Sequence, residues 1–193
     1  MRASDPKLVR VAQRLADMIE PESCVVVGAL AIAVHGYVRA TRDVDLVTRI
    51  PLSEARKRLA EHGVKAVLKR GDVLEGDFSC IKGVLDGIDF DVLPLLVPIE
   101  WKSAVDVPLA GGAKLKVVDL RTLIHLKLRA GGPQDVLDVV MLLQRHPEHL
   151  TRALELATGY RVADRLESFL NDPRIKAKTP RPPRQRRRRS GKP

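Results

Sequence analysis

The sequence predicts an α+β protein: a small mixed β-sheet with flanking helices, then a C-terminal helical part, then a disordered basic tail. Three observations carry this. Short β-branched runs alternate with helix-period segments up to residue 118, and everything after Asp119 has helical spacing. The last stretch, 173–193, holds ten Lys and Arg and no acid, a composition that cannot bury a core. The chain accordingly divides into an α/β core over 1–118, a helical part over 119–172 and the tail.

Taken in order, Ser4-Asp5-Pro6 starts a helix. Leu8, Val11, Leu15, Met18 and Ile19 then recur on one face, and Pro21 ends the segment. "SCVVVG" is a short buried strand and "ALAIAVHG" a short helix closed by Gly36. "DVDLVT" alternates and is β-branched, which makes it a second strand. "LSEARKRLAEHG" is a helix with Ser53 as its cap and Gly63 as its stop. Asp86-Gly87 between "DFSCIKGVL" and "IDFDVLPLL" marks a hairpin. A short helix near Trp101 and strands near 105–109 and 114–118 follow. Helices over 120–130, 134–145, 148–157 and 160–170 are separated by "GGP", "HP" and "TG".

At 193 residues with 45% apolar content, the chain suits one domain with a helical appendage. Aromatics make up only 3%, so Leu, Val, Ile and Ala must build the core. No apolar run is long enough to cross a membrane, and the charged N-terminus lacks the apolar region of a secretion signal. Cys24 and Cys80 form neither a disulfide framework nor a metal-ligand cluster, and both read as buried thiols. The expected location is the cytoplasm. The net charge of +10 belongs to the tail, because residues 1–172 balance 24 basic against 24 acidic residues. An Arg block with Pro spacers suits RNA or another polyanion through phosphate contacts, or serves only as a solubilising tail.

The chemistry is concentrated in "GALAIAVHGYVRATRDVDL". Alternate residues of a strand share a face, so Asp43 and Asp45 point one way while Val44 and Leu46 point to the core. Asp89 and Asp91 share a face by the same rule. If the two strands neighbour each other, these carboxylates converge, and their mutual repulsion asks for a divalent cation. Oxygen donors at that density suit Mg²⁺, with phosphates of a substrate completing its shell. The strand-to-helix turn at Gly28-Ala29 would present backbone N–H groups to an anion.

These residues carry a resemblance. "VVGALAIAVHGYVRATRDVDL" is similar to the DNA polymerase β-type nucleotidyltransferase superfamily, in which a glycine turn precedes an Asp-x-Asp strand by about a dozen residues. With His35-Gly36, Arg39 and Thr41 it resembles the AbiEii-like branch, which includes toxins of toxin–antitoxin systems. A second segment, "DLRTLIHLKLRAGGPQDVLDVVML", resembles that branch in Lys127, Ala130-Gly131, Pro133, Asp135 and Asp138. The two segments together span residues 24–145. Two positions depart from the family pattern. Ala29 stands where Gly or Ser is usual, which removes a hydroxyl, and Gly132 stands where Arg is usual, which removes a cation.

The resemblance implies a Mg²⁺-dependent transfer of NMP from an NTP to a hydroxyl. Asp43 and Asp45 would bind two metal ions, and Asp91 (or Asp89 on the same face) would complete the site. Gly28, Ala29 and Lys127 would hold the triphosphate, with Arg39, Arg42 and Asp135 contributing to nucleotide binding. Each has a plainer reading. Lys127 could snorkel to solvent from its apolar stripe, the two arginines could be solvated loop charges, and Asp135 and Asp138 could serve the start of a helix. His35 reads as a helix-end hydrogen-bonder. The implied acceptor is RNA, in particular a tRNA 3′ end, aided by the tail. Adenylylation of a partner protein, with a cognate toxin or antitoxin as that partner, is the enzymatic alternative. A non-catalytic RNA- or nucleotide-binding module is the other.

Overall fold

The computed structural model describes residues 5–71, 78–109 and 112–176. Helix α1, Pro6–Ile19, is capped by Asp5, whose carboxylate accepts from the Lys7 N–H at 2.9 Å. Its Leu8, Val11, Leu15 and Ile19 form the expected buried stripe. Strand β1, Cys24–Val26, runs straight into helix α2, Gly28–Val34. Strand β2, Asp43–Thr48, and helix α3, Leu52–Glu61, follow. Ser53 does not cap α3. The helix opens at Leu52 with Pro51 in the cap position, whose ring fixes φ but offers no hydrogen bond to the first turn.

Strand β3, Ala66–Lys69, was not anticipated: four residues alternating between half-buried and exposed give a weak pattern. Strands β4, Cys80–Leu85, and β5, Ile88–Leu93, form the expected hairpin. Its turn residues, Asp86 and Gly87, both take positive φ, the conformation that matches the twist of the flanking strands. Strands β6, Val105–Pro108, and β7, Lys114–Val117, complete the sheet. The helical half comprises α4, Leu120–Ala130, α5, Pro133–Leu143, α6, Leu150–Gly159, and α7, Ala163–Asn171. The tail had been expected to start at 173, but Pro173–Lys176 form one helical turn, α8, which the Asp172 carboxylate helps to start by accepting from the Arg174 N–H. The rest of the tail lies outside the described residues.

The seven strands form one mixed sheet in the order β3-β4-β5-β2-β1-β7-β6. Strands β2 and β5 pair in parallel, as do β1 and β7, and the remaining neighbours are antiparallel. Helix α1 packs against β1 and β2, α3 against β3 and β4, and α2 against β2 and α4. Alternation divides the β3–β5 half cleanly. Ile81, Phe90 and Val92 are buried on one face, whereas Val67, Lys82, Val84 and Asp89 are exposed on the other. Gly83 serves that packing, since a Cβ there would fall 2.6 Å from the Phe90 ring. Cys24 and Cys80 are buried thiols, as read, and burial pushes the Cys24 thiol up to about 11. No described helix is long and apolar enough to cross a membrane.

Candidate active site

The parallel pairing of β2 with β5 sets the geometry. Asp43 stands opposite Asp89 and Asp45 opposite Asp91, so four carboxylates lie on one face of two adjacent strands. Between them in sequence, Val44, Leu46, Phe90 and Val92 are buried on the opposite face. The core therefore dictates the direction of the acids: a register slip would bury them and expose the apolar set.

Asp45 is the innermost member. The Val27 N–H donates to its backbone carbonyl at 2.9 Å, which brings the β1–α2 turn alongside it. Gly28 takes φ +61°, and a Cβ there would fall 1.9 Å from Asp45 Oδ2. A glycine is needed both for the backbone conformation and because a carboxylate occupies the side-chain space. The spacing argument had located this residue but had assigned it to phosphate approach alone. Burial, followed by the negative charges of Asp43 and Asp91, pushes the Asp45 carboxyl from 3.8 up to about 6, with Lys127 and Lys82 pulling the other way. Asp89 lies exposed at the outer end of the row.

The other two carboxylates have local partners. Thr41 Oγ1 donates to Asp43, and Lys82 Nζ makes an ion pair with Asp91. Lys82 was missed in the sequence, yet it was legible there. A two-residue turn at Asp86-Gly87 places 85 opposite 88 and hence 82 opposite 91.

A cavity of about 180 Å³ opens beside Asp45 and is lined by Gly28, Leu93, Leu126, Lys127 and Asp135. Lys127 enters from α4 with its side chain 11% exposed. Its Nζ lies 2.6 Å from Asp135 Oδ1 and 3.1 Å from Asp138 Oδ2. Asp138 is fully buried and also accepts from Arg39 Nε at 3.0 Å, Arg39 Nη2 at 3.2 Å and Gln134 Nε2 at 2.9 Å. Arg39 thus ties the segment before β2 to α5 through a two-pronged contact, and it is not a free loop cation. Arg42 is exposed. His35 Nε2 donates to the Val118 carbonyl at 2.8 Å, in keeping with its reading at the helix end.

The two departures also have places. Ala29 is buried and lines a smaller pocket, not the Asp45 cavity. Gly132 is the cap residue of α5, and a Cβ there would fall 3.0 Å from Asp135 Oδ2. Arg129, three positions earlier in the chain, lies over the Phe78 ring at 5.0 Å.

Among the described residues, no three His, Cys, Asp or Glu side chains stand together closely enough to hold a metal ion as they are. The donor chemistry nevertheless fits a hard divalent cation. Asp43, Asp45 and Asp91 offer only oxygen, and they raise one another's charge cost in a way that a cation would relieve.

The fold has solved counterparts. A Thermotoga maritima protein described as a nucleotidyltransferase aligns over 67% of this chain and 89% of its own, at 18% identity and a TM-score of 0.50. The antibiotic-resistance factor ANT(2″)-Ia in solution aligns over 80% and 90%, at 13% identity and a TM-score of 0.55. Its crystal complex with adenylyl-2″-tobramycin aligns over 80% and 95%, at 11% identity and a TM-score of 0.54. At such identities the likeness is one of fold. No curated protein matches the chain. Residues 10–190 match the family described as nucleotidyl transferase AbiEii toxin, type IV TA system, and the chain therefore belongs to the AbiEii family of nucleotidyltransferases.

Proposed function

We propose that this nucleotidyltransferase is Mg²⁺-dependent and moves the NMP of an NTP onto an RNA hydroxyl, with a tRNA 3′ end as the acceptor. The observation that supports it most is the Asp45 carboxyl. It is held at the floor of a cavity, coupled to Asp43 and Asp91, with the Lys127 ammonium facing it from α4.

In this reading Lys127 takes the triphosphate, exchanging Asp135 for phosphate oxygens while Asp138 keeps the ammonium in place. Gly28 and Ala29 let the phosphates approach the backbone of the turn. Mg²⁺ held by Asp43, Asp45 and Asp91 would supply neutralisation of the carboxylates and of charge on the phosphates. Asp91, oriented by Lys82, accepts the proton of the attacking hydroxyl. The hydroxyl oxygen bonds to the α-phosphorus as the bond to the bridging oxygen breaks, and pyrophosphate leaves. Placing the reactants in line accounts for much of the rate, because positioning alone replaces a costly bimolecular encounter. The tail supports an RNA acceptor by charge alone.

The test is transfer from each of the four α-labelled NTPs, with Mg²⁺, to total tRNA and to protein, beside Asp43→Ala/Asp45→Ala. Label in tRNA that the double variant abolishes is the expected result. Label confined to protein would replace RNA by a partner protein as acceptor. Absence of label from both, with RNA still bound, would leave a binding module.

A further inference from the structure

The open face of the sheet does not end at the carboxylates. Val67 on β3 stands opposite Lys82 on β4, Lys82 opposite Asp91 on β5, and Asp91 opposite Asp45 on β2. One row of side chains therefore crosses four strands, from the last strand of the sheet to the floor of the cavity. At the usual strand spacing it is about 14 Å long. Its outer part is uncovered: Val67 is 70% exposed, and Val84, on the same face, is 55% exposed.

Beyond Val67 lies a groove of about 730 Å³ between α3 and β3, lined by Arg56, Lys57, Lys65, Val64 and Val67 among others, with no acid among the described residues of its lining. Lys57 has Glu61 4.0 Å away across one helical turn, an exposed pair that a polyanion would displace at little cost. The segment 51–70 that builds the groove holds six Lys and Arg against two Glu, in a part of the chain, 1–172, whose net charge is zero. The cations are thus gathered at one edge of the sheet while the acids gather at its centre.

We propose that this groove and the Val67/Val84 face are the docking surface for the acceptor strand of a nucleic acid, resting on the reading of RNA as acceptor. Phosphates of the acceptor lie against Arg56, Lys57 and Lys65. Its unstacked bases lie over the exposed valines. The strand then follows the row past Lys82, so that its terminal hydroxyl arrives at Asp91. A peptide adding to the free edge of β3 fits less well, because lysines at 65 and 69 punctuate that edge, a pattern that discourages strand pairing. Basic, with no acid among its described lining residues, and joined through Val67 to the row that leads to the carboxylates, the surface matches a backbone of phosphates.

The test uses the full chain carrying Arg186→Ser, Arg187→Ser, Arg188→Ser and Arg189→Ser, so that the tail does not mask the groove, with and without Lys57→Glu/Lys65→Glu. The probe is a short labelled single-stranded RNA with a free 3′ hydroxyl, titrated by fluorescence anisotropy over a series of KCl concentrations. Charge reversal is expected to weaken binding by about ten- to a hundredfold and to reduce the log–log salt slope by about 2. Lys57→Gln/Lys65→Gln should give about half of that effect, and thermal unfolding should not change in either variant. Equal affinity and slope in parent and reversed chains overturns the proposal. Labelling of RNA by a chain whose binding ignores the reversal would sink the groove and leave the transferase reading standing. Groove-dependent binding with no labelling would do the opposite.

Discussion

Two groups of acids flank the cavity that Lys127 lines, and they are treated in opposite ways. Asp138, fully buried, meets two cations and an amide, so that its charge is matched on every side the structure describes. Asp45, half-buried, feels the charges of two more acids, which the opposing pull of Lys127 and Lys82 does not cancel. Burial of a charge is costly unless it is paired, and the first group is paired within the protein. The second is not. The difference separates acids that hold the fold from acids that await a ligand, which neither spacing nor burial alone could do.

The largest effect that would test this comparison is on transfer. Asp43→Ala/Asp45→Ala should lower transfer by at least about 10³-fold, equivalent to about 4 kcal/mol of transition-state stabilisation. The same chain should unfold no earlier than the parent in urea. A variant that loses activity by unfolding would place these acids with Asp138 and remove the distinction.

The matching experiment on the other group is Asp138→Ala. It strands Arg39 and Lys127 with one partner fewer at a site closed to water, and should cost about 3–5 kcal/mol by urea unfolding. Asp138→Asn, which keeps the shape and some hydrogen bonds, should cost less. Equal stability of Asp138→Ala and parent would show that the network is not a structural anchor.

This contrast was only half visible in the sequence. The elements were legible wherever a strong local signal existed: Asp5-Pro6 before α1, the glycine turn at Asp86-Gly87, and the "GGP" punctuation between α4 and α5. The convergence of Asp45 with Asp91 was legible as a conditional, because strand alternation gives each pair its face but not which strands are neighbours. What local signals could not supply were long-range partners. Arg39 and Asp138 are 99 positions apart, and nothing in either neighbourhood says that they meet. Strand β3 was missed for a related reason: four half-exposed residues at the edge of a sheet draw their identity from β4 beside them. Ser53 misled because a preferred capping residue sat one place inside a helix that proline had already started.

A smaller effect concerns pH. In metal-free protein the Asp45 carboxyl titrates at about 6 when folded against 3.8 ordinarily, so folding favours its neutral form. Its contribution to stability is then greatest below the ordinary value, declines as pH rises between the two, and is lowest above about 6. The full swing is about 3 kcal/mol at most. Asp45→Asn should abolish this decline and be the more stable chain at pH 7. Added Mg²⁺ should raise the melting temperature of the parent at that pH and leave the variant unmoved. A parent whose stability is flat from pH 4 to 7 would contradict the unpaired state of Asp45.

The finest test removes the one cation that the sheet itself offers to the acids. Lys82 and Asp91 form a pair whose side chains are 49% and 30% exposed, and such pairs contribute only about 0–1 kcal/mol to stability. Lys82→Met should therefore unfold almost as the parent does. It should nonetheless move the Asp45 midpoint upward from about 6, because Lys82 is among the charges holding it down. Carbon-detected NMR titration of the Asp45 carboxyl in metal-free protein reads this directly. A midpoint that stays put, or falls, would mean that Lys82 serves Asp91 alone, and that the row of side chains running out to the edge of the sheet is electrostatically broken at its second strand.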